Sequence, residues 1–405
     1  MAKRPRYAKN QLTFNRLTFN RLTFNLFKNK ITMPVIAATA FTFPEHYYPQ
    51  EVLATAVKKF CIAMNLDFDL DTIDRFFTNV NVKGRYFTHS LDSFFDPPTP
   101  GVTAERSIDL ALDNFEKTVR SLFCSTGIEP EEIALIASST LTISVPSLEA
   151  RLMNRIPFSR YIKRLPMFGY GCMGGAAGIA RVTEYLEGHP KDAAIFFAGE
   201  LSSALWQGSL QMELQTMISK LPDDPSLYSE IICSIVTAAL FADGMGAVLM
   251  VGRDHPLAKP GQPRVIDIGS ILLSHTTHLM GMDIADTGFR NILRPEVSDH
   301  LKGGLREVID RLLNKHNLST DDISCWIVHP GGPKVIKTIQ EEFGLTQDAV
   351  QLSWDTLEKV GNMSSSTVLY MLNEVLSQEQ PSPGSYGLMV AMGPGFSQEI
   401  LLLQW

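Results

Sequence analysis

The chain has no apolar run of the roughly 18 residues that a membrane-spanning helix needs, although 45% of its 405 residues are hydrophobic. Cysteine is scarce. The five present, Cys61, Cys124, Cys172, Cys233 and Cys325, are odd in number and follow no CxxC or Cys/His spacing. That argues against a disulfide framework and against metal, and it fits reduced thiols in the cytoplasm. Positive charge is not in excess either: the net charge of -7 makes no case for nucleic acid. Acidic residues are missing from one place only. Residues 1–32 hold eight Lys/Arg and no Asp or Glu, so the remainder carries -15. In this basic segment Leu-Thr-Phe-Asn recurs at 12–15, 17–20 and 22–25. A five-residue repeat matches neither helix nor strand and is too short for a solenoid unit. The segment also lacks the cleavage site and continuous apolar stretch of a secretion signal. Met33-Pro-Val-Ile-Ala-Ala-Thr-Ala starts like the first strand of a fold. Met33 is therefore a candidate natural start, and 1–32 is expected to be a poorly ordered, dispensable extension.

What is present is ample for a large core. From Met33 onward, strand-like and helix-like stretches alternate. Strands are expected at Val35–Thr42, Glu132–Ser138, Asp192–Ala198, Ala247–Val251, Val265–Ser274, around Trp326, at Tyr386–Ala391 and at Ser397–Leu403. Helices are expected at Pro49–Met64, Asp71–Thr78, Thr103–Gly127, Ile231–Phe241, Pro295–Lys315, Gly332–Phe343 and Thr367–Leu376. The Pro/Gly-rich connector His255–Pro263 divides the chain into 33–255 and 256–405. This alternation predicts a layered α/β protein.

Three stretches carry chemistry. In the first, the apolar run Leu165–Phe168 is broken by Gly169 and Gly171, Cys172 follows, and a small-residue pattern reads as a helix to about Glu187. A thiol at such an elbow meets backbone N–H groups and a helix dipole, which favour the thiolate. Gly171, Gly174 and Gly175 would clear bulk from around the sulfur. A buried small residue is the plainer account of a single cysteine. The second stretch, Trp326-Ile-Val-His329-Pro-Gly-Gly-Pro333, is a strand ending on a histidine. The third, Val360-Gly-Asn362-Met-Ser-Ser-Ser366, is a turn before an amphipathic helix. Each alone reads as ordinary structure. Together, Cys, His and a hydrogen-bonding amide are what thiol acyl transfer requires.

GYGCMGGAAG, HPGGPKVI and GNMSSSTVL, in this order and spacing, resemble the type III polyketide synthases of the chalcone synthase superfamily, as does the late Met392-Gly-Pro-Gly-Phe396. The similarity runs from about Pro34 to Trp405. It implies a thiolase-like fold, five αβαβα layers from two pseudo-duplicated halves, with Cys172 on the first half and His329 and Asn362 on the second. It also implies the chemistry. Cys172 would take an acyl group from CoA, and malonyl-CoA would be decarboxylated beneath His329 and Asn362. The chain would then grow by two carbons per round and cyclise, with no metal or redox cofactor.

Further positions come from the same resemblance. Phe241 and Phe289 match two phenylalanines that gate the passage between CoA tunnel and cavity. Ser364, Ser202 and Leu205 match cavity-lining residues, Leu205 departing from the plant threonine. Arg75 matches a cation that binds CoA phosphates. Thr72 and Asn79 replace two neighbouring lysines of that pattern, for which Lys83 and Arg85 could compensate. Val145-Pro146 matches a loop that reaches into a partner's cavity, which implies a homodimer. The GGAAG and Phe-Ala-Asp-Gly dialect is similar to bacterial members that use fatty acyl-CoA and make alkylpyrones or alkylresorcinols. Together with Leu205, Met280, Met282 and the Met/Leu-rich 209–221, it points to a medium-to-long acyl starter. Other starters remain open: short or aromatic ones, malonyl-CoA alone, or one delivered by an acyl carrier protein or fatty acid synthase. An initiating β-ketoacyl synthase would show HQAN where this chain has His-Pro-Gly-Gly. A thiolase would need a second cysteine near the C-terminus. A catalytically dead homologue acting as a binding partner is the reading from a different class, and the intact Cys172, His329 and Asn362 argue against it.

Overall fold

A computed structural model describes residues 33–95, 100–142, 144–205, 211–285, 288–294, 296–378 and 380–405. The basic repeats of 1–32 and the side chains of Leu205 and Phe289 lie outside the described residues. Thirteen strands are described: β1 Val35–Thr42, β2 His46–Pro49, β3 Gly84–Phe87, β4 Ile133–Ser139, β5 Lys163–Met167, β6 Ala193–Glu200, β7 Gly244–Val251, β8 Arg264–Leu272, β9 Met280–Ala285, β10 Gly288–Leu293, β11 Ile323–Val328, β12 Tyr386–Gly393 and β13 Ser397–Gln404. Nine of them form one sheet in the order β11-β12-β13-β8-β1-β7-β6-β4-β5.

The sheet is two similar halves joined by a single register pair, Val35 with Arg264. Moving outward from that join, β1–β7 and β7–β6 are antiparallel and β6–β4 is parallel. On the other side, β8–β13 and β13–β12 are antiparallel and β12–β11 is parallel. The same sequence of directions therefore occurs twice.

Side-chain alternation along the strands builds the layers. Ile136, Ile195 and Phe197 pack with Phe115, Val119 and Leu122 of helix Pro100–Thr126. Their neighbours Leu135, Ala137, Ala194 and Phe196 face the other way, onto helices Gly174–Gly188 and Thr367–Ser377. The second half meets those same two helices through Met389, Ala391, Leu401 and Leu403. Its alternate residues Leu388, Val390, Ile400 and Leu402 pack outward onto helices Gly304–Lys315 and Pro333–Phe343. The result is helix, sheet, helix, sheet, helix: the five-layered α/β arrangement expected from the motifs.

Most expected elements lie within a few residues of their predicted ends. The helix expected over Pro295–Lys315 is two, Val297–Leu301 and Gly304–Lys315, divided at Gly303. Helices Gln211–Lys220 and Gln351–Val360 and the β2–β3 and β9–β10 ribbons are additions to the predicted list. Leu214, Met217 and Ile218 of the Met/Leu-rich stretch are buried, packing with Ile231, Ile235 and Ala238.

Candidate active site

Cys172 sits in a single 3-10 turn, Gly171–Met173, between β5 and helix Gly174–Gly188. It is 3% exposed. Gly171 adopts φ +49 there, and a Cβ on it would lie 2.8 Å from the Pro394 ring. Gly174 and Gly175 abut Ser139, Ser365 and Val368. These two glycines therefore let the helix seat against the 364–366 turn, rather than clearing an approach to sulfur as the sequence suggested.

Asn362 is pinned by backbone on one side and by its own side chain on the other. Its N–H donates to the Leu240 carbonyl at 3.0 Å, and its carbonyl accepts from Ala242 N–H at 2.8 Å. Oδ1 accepts from the Ser364 N–H at 2.8 Å, a local Asx bond helped by the left-handed Ser364, φ +52. With Oδ1 engaged, Nδ2 is buried and has no protein oxygen or nitrogen acceptor. The Cys172 thiol is within hydrogen-bonding reach of the Ser364 and Asn362 side chains. Phe241 belongs to the same knot, since it forms a parallel bridge with Asn362.

His329 follows β11, and its N–H donates to the Val390 carbonyl of β12 at 2.8 Å. Three residues on, Gly393 packs directly on Tyr170 and Met173, which lie on either side of the cysteine. The His329 ring is fully buried, and neither ring nitrogen has a protein partner. Burial lowers its pKa to about 3. Burial likewise pushes the Cys172 thiol up to about 11, with Glu200 adding to the rise and Ser364 and Asn362 opposing it. The lowered cysteine pKa expected from the helix dipole is thus overridden by desolvation. Burial thus favours the neutral thiol at Cys172 and the neutral imidazole at His329.

The other matched positions separate. Ser364 and Ser202 are buried, Ser202 opening helix Ser202–Leu205 two residues after Glu200. Phe289 lies in β10 opposite Ile284. Arg75 is exposed on helix Leu70–Asn79, bonded to Thr72 at 2.6 Å and 3.5 Å from Asp69. Val145 is 92% exposed. Lys83 pairs with Glu358 at the surface at 2.7 Å. Arg85, considered for the CoA phosphates, is instead completely buried: it faces Phe77 and Phe87, where no phosphate can reach.

Sequence reasoning passed over Glu200. It ends β6 fully buried, accepting from Leu141 N–H at 2.8 Å and the Ser365 hydroxyl at 2.9 Å. Burial raises its carboxyl pKa to about 7. An acid directly after an apolar strand was the signal. Asp243 is also buried, accepting from Thr88 N–H at 2.7 Å and Ser203 N–H at 2.8 Å.

Known proteins bear on this site. Residues 269–405 match the family model "Chalcone and stilbene synthases, C-terminal domain", and residues 92–215 match "FAE1/Type III polyketide synthase-like protein". The 1,3,6,8-tetrahydroxynaphthalene synthase of Streptomyces peucetius is 34% identical over 91% of this chain and 93% of its own. An alpha-pyrone synthesis polyketide synthase-like protein of Mycobacterium tuberculosis is 25% identical over 74% of this chain and 70% of its own. The crystal structure of 1,3,6,8-tetrahydroxynaphthalene synthase from Streptomyces coelicolor superimposes with a TM-score of 0.79 at 22% identity, covering 92% of this chain and 99% of that one. It shares the fold. These enzymes are acyltransferases that condense CoA thioesters with decarboxylation and need no cofactor. The chain belongs to the type III polyketide synthases, the chalcone and stilbene synthase family.

Proposed function

We propose that Cys172 loads an acyl-CoA starter, that His329 and Asn362 assist decarboxylation of malonyl-CoA, and that the extended chain is released by cyclisation. The observation that supports this is a buried thiol within reach of the Asn362 side chain, whose Nδ2 has no protein oxygen or nitrogen to donate to, together with the buried His329 imidazole, whose two nitrogens likewise lack a partner. Buried polar atoms are ordinarily satisfied, and here a substrate oxygen would satisfy them. Transfer of the Cys172 proton to His329 leaves the buried pair neutral overall, so the thiolate forms without burying a net charge. The thiolate attacks the acyl-CoA carbonyl and CoA thiolate departs, taking up a proton. Loss of CO2 from malonyl-CoA then leaves an enolate. Its oxygen accepts from Asn362 Nδ2 and a His329 N–H, donors placed where charge develops. The enolate carbon bonds to the acyl carbonyl, and the Cys172 thiolate leaves.

For the starter we favour a medium-to-long fatty acyl-CoA and an alkylpyrone or alkylresorcinol product. An apolar groove lined by Leu53, Val57, Phe60, Leu214, Ile235 and Ala238 flanks helix Leu227–Leu240, which leads into Phe241. The Mycobacterium relative, named for alpha-pyrone synthesis, supports the same reading. Malonyl-CoA as sole substrate is the second reading, favoured by the 34% identity to a tetrahydroxynaphthalene synthase. Phe241, Phe289, Ser202, Ser364 and Leu205 are proposed to bound the cavity and Arg75 to meet the CoA phosphates. CoA is the proposed carrier of the starter, with an acyl carrier protein as alternative donor. The two halves are taken to meet at 255/256, and the active unit is proposed to be a homodimer with Val145 at the contact. Purified enzyme with malonyl-CoA and acyl-CoA starters from acetyl to stearoyl, read by mass spectrometry, tests the starter. Alkylpyrones or alkylresorcinols from the long starters are expected. Product from malonyl-CoA alone, indifferent to added starter, would establish the second reading.

A further inference from the structure

Arg85 is a cation in a place that excludes water. Its guanidinium carbon lies 5.3 Å from the Phe87 ring and 6.0 Å from that of Phe77. Such burial costs several kcal/mol unless the fork is well used. Nε donates to Gln50 Oε1 at 3.2 Å, and Nη1 donates to the Phe241 carbonyl at 2.5 Å. Gln50 in turn donates through Nε2 to the Ala239 carbonyl at 2.7 Å and the Phe77 carbonyl at 3.3 Å. Asp243 opposes the desolvation electrostatically, and the guanidinium pKa, lowered to about 9, still leaves it charged at neutral pH.

The segment that Arg85 holds is the one that holds Asn362. Leu240 and Ala242, on either side of Phe241, make both backbone bonds to Asn362. The preceding Gly361 lies against the Arg85 stem. A Cβ there would come within 2.9 Å of both Arg85 Cδ and the Leu240 carbonyl oxygen, and its φ is +72. Arg85 therefore touches both sides of the bridge: its guanidinium holds the Phe241 carbonyl at the end of helix Leu227–Leu240, and its stem lies against the turn that carries the amide.

We propose that Arg85 is a positioning residue for decarboxylation, holding the Phe241 carbonyl so that the backbone bridge aims Asn362 Nδ2 at the enolate oxygen. Cys172 feels Asn362 only as one of two side chains that oppose the rise of its pKa, beside Ser364, so decarboxylation should fall much further than loading. The inference rests on Asn362 acting as the oxyanion donor.

Arg85→Met keeps the apolar stem and removes the fork. Malonyl-CoA decarboxylation, alkylation of Cys172 by iodoacetamide and the melting temperature are measured side by side. Displacing a catalytic group by an ångström costs about 100-fold, so a fall of that order in the kcat of decarboxylation is expected. The KM for malonyl-CoA stays at the wild-type value, and the alkylation rate falls by far less than the kcat. Arg85→Lys keeps the charge but reaches one acceptor at a time, and should recover part of the loss. Decarboxylation at the wild-type rate in Arg85→Met would overturn the proposal. So would parallel loss of decarboxylation and alkylation in step with unfolding. If Arg85→Met does not fold, the same split in Arg85→Lys decides, and an unchanged rate there overturns it. Asn362→Ala separates the premise: undiminished decarboxylation in that variant removes the oxyanion reading itself, whereas an inactive Asn362→Ala beside a fully active Arg85→Met removes only the role of Arg85.

Discussion

At the residue scale, Cys172 and His329 are governed by one effect with opposite signs. Burial disfavours whichever form is charged, so the thiol rises to about 11 and the imidazole falls to about 3. Neither group ionises readily alone, and in the proposed mechanism the thiolate is reached at neutral pH by handing its proton to the imidazole. For the resting enzyme, iodoacetamide inactivation should therefore accelerate steadily from neutral pH to about pH 9, as thiolate forms by loss of the proton to solvent. A rate already level at neutral pH would mean that the thiolate–imidazolium pair pre-exists. Asn362 needs no such device. An amide can donate without titrating, and Ser364 N–H occupies the Asn362 Oδ1 atom that could have been confused with the proposed donor.

At the scale of elements, the site is a meeting of ends: the turn after β5, the end of β6, the turn after β11 and the 361–366 turn. Each of the three motif turns was legible because glycine, proline and asparagine mark a turn and the reactive residue lies within it. The buried charges that tie the turns together were not. Arg85 meets Phe241, Asp243 meets Ser203 and Glu200 meets Ser365 across long stretches of sequence. A lone charge in a sequence reads as surface, which is why Arg85 looked like a phosphate ligand. Glu200 gives the test at this scale. Its carboxyl, at about 7 against an ordinary 4.5, keeps a proton in the folded protein that the unfolded chain has already lost. The stability it contributes is therefore complete below about pH 4.5 and is lost as pH rises through about 7. Glu200→Gln cannot ionise, so its melting temperature relative to wild type should improve between about pH 5 and pH 8, by the equivalent of a few kcal/mol. A difference independent of pH would show that Glu200 is ionised throughout in the folded protein.

At the scale of the molecule, the alternation of strands and helices was enough to expect layers, but not to see that the pairing directions repeat on the two sides of Val35 and Arg264. That repeat lies in the directions of hydrogen bonding, which amino-acid pattern does not encode. The repeated halves bear on the proposed site, whose thiol lies on one of them and whose histidine and amide lie on the other. The sheet also has an end that asks to be covered. β5 is its last strand on the first half, flanked by Tyr161 at 79% exposure and Phe168 at 59%, while Val145 on the loop between β4 and β5 is 92% exposed. Edges of this kind are ordinarily blunted or paired, and burying each such side chain is worth about 1.5–3 kcal/mol. A second copy of the chain, as proposed above, would supply a self-complementary cover by two-fold symmetry. Light scattering should accordingly give twice the chain mass for the wild type. Val145→Asp, which would bring a desolvated carboxylate into that contact, should shift the population to monomer at micromolar concentration with the melting profile of the monomer retained. A wild-type chain that runs as a monomer, or a Val145→Asp variant that stays dimeric, would move the contact away from this edge.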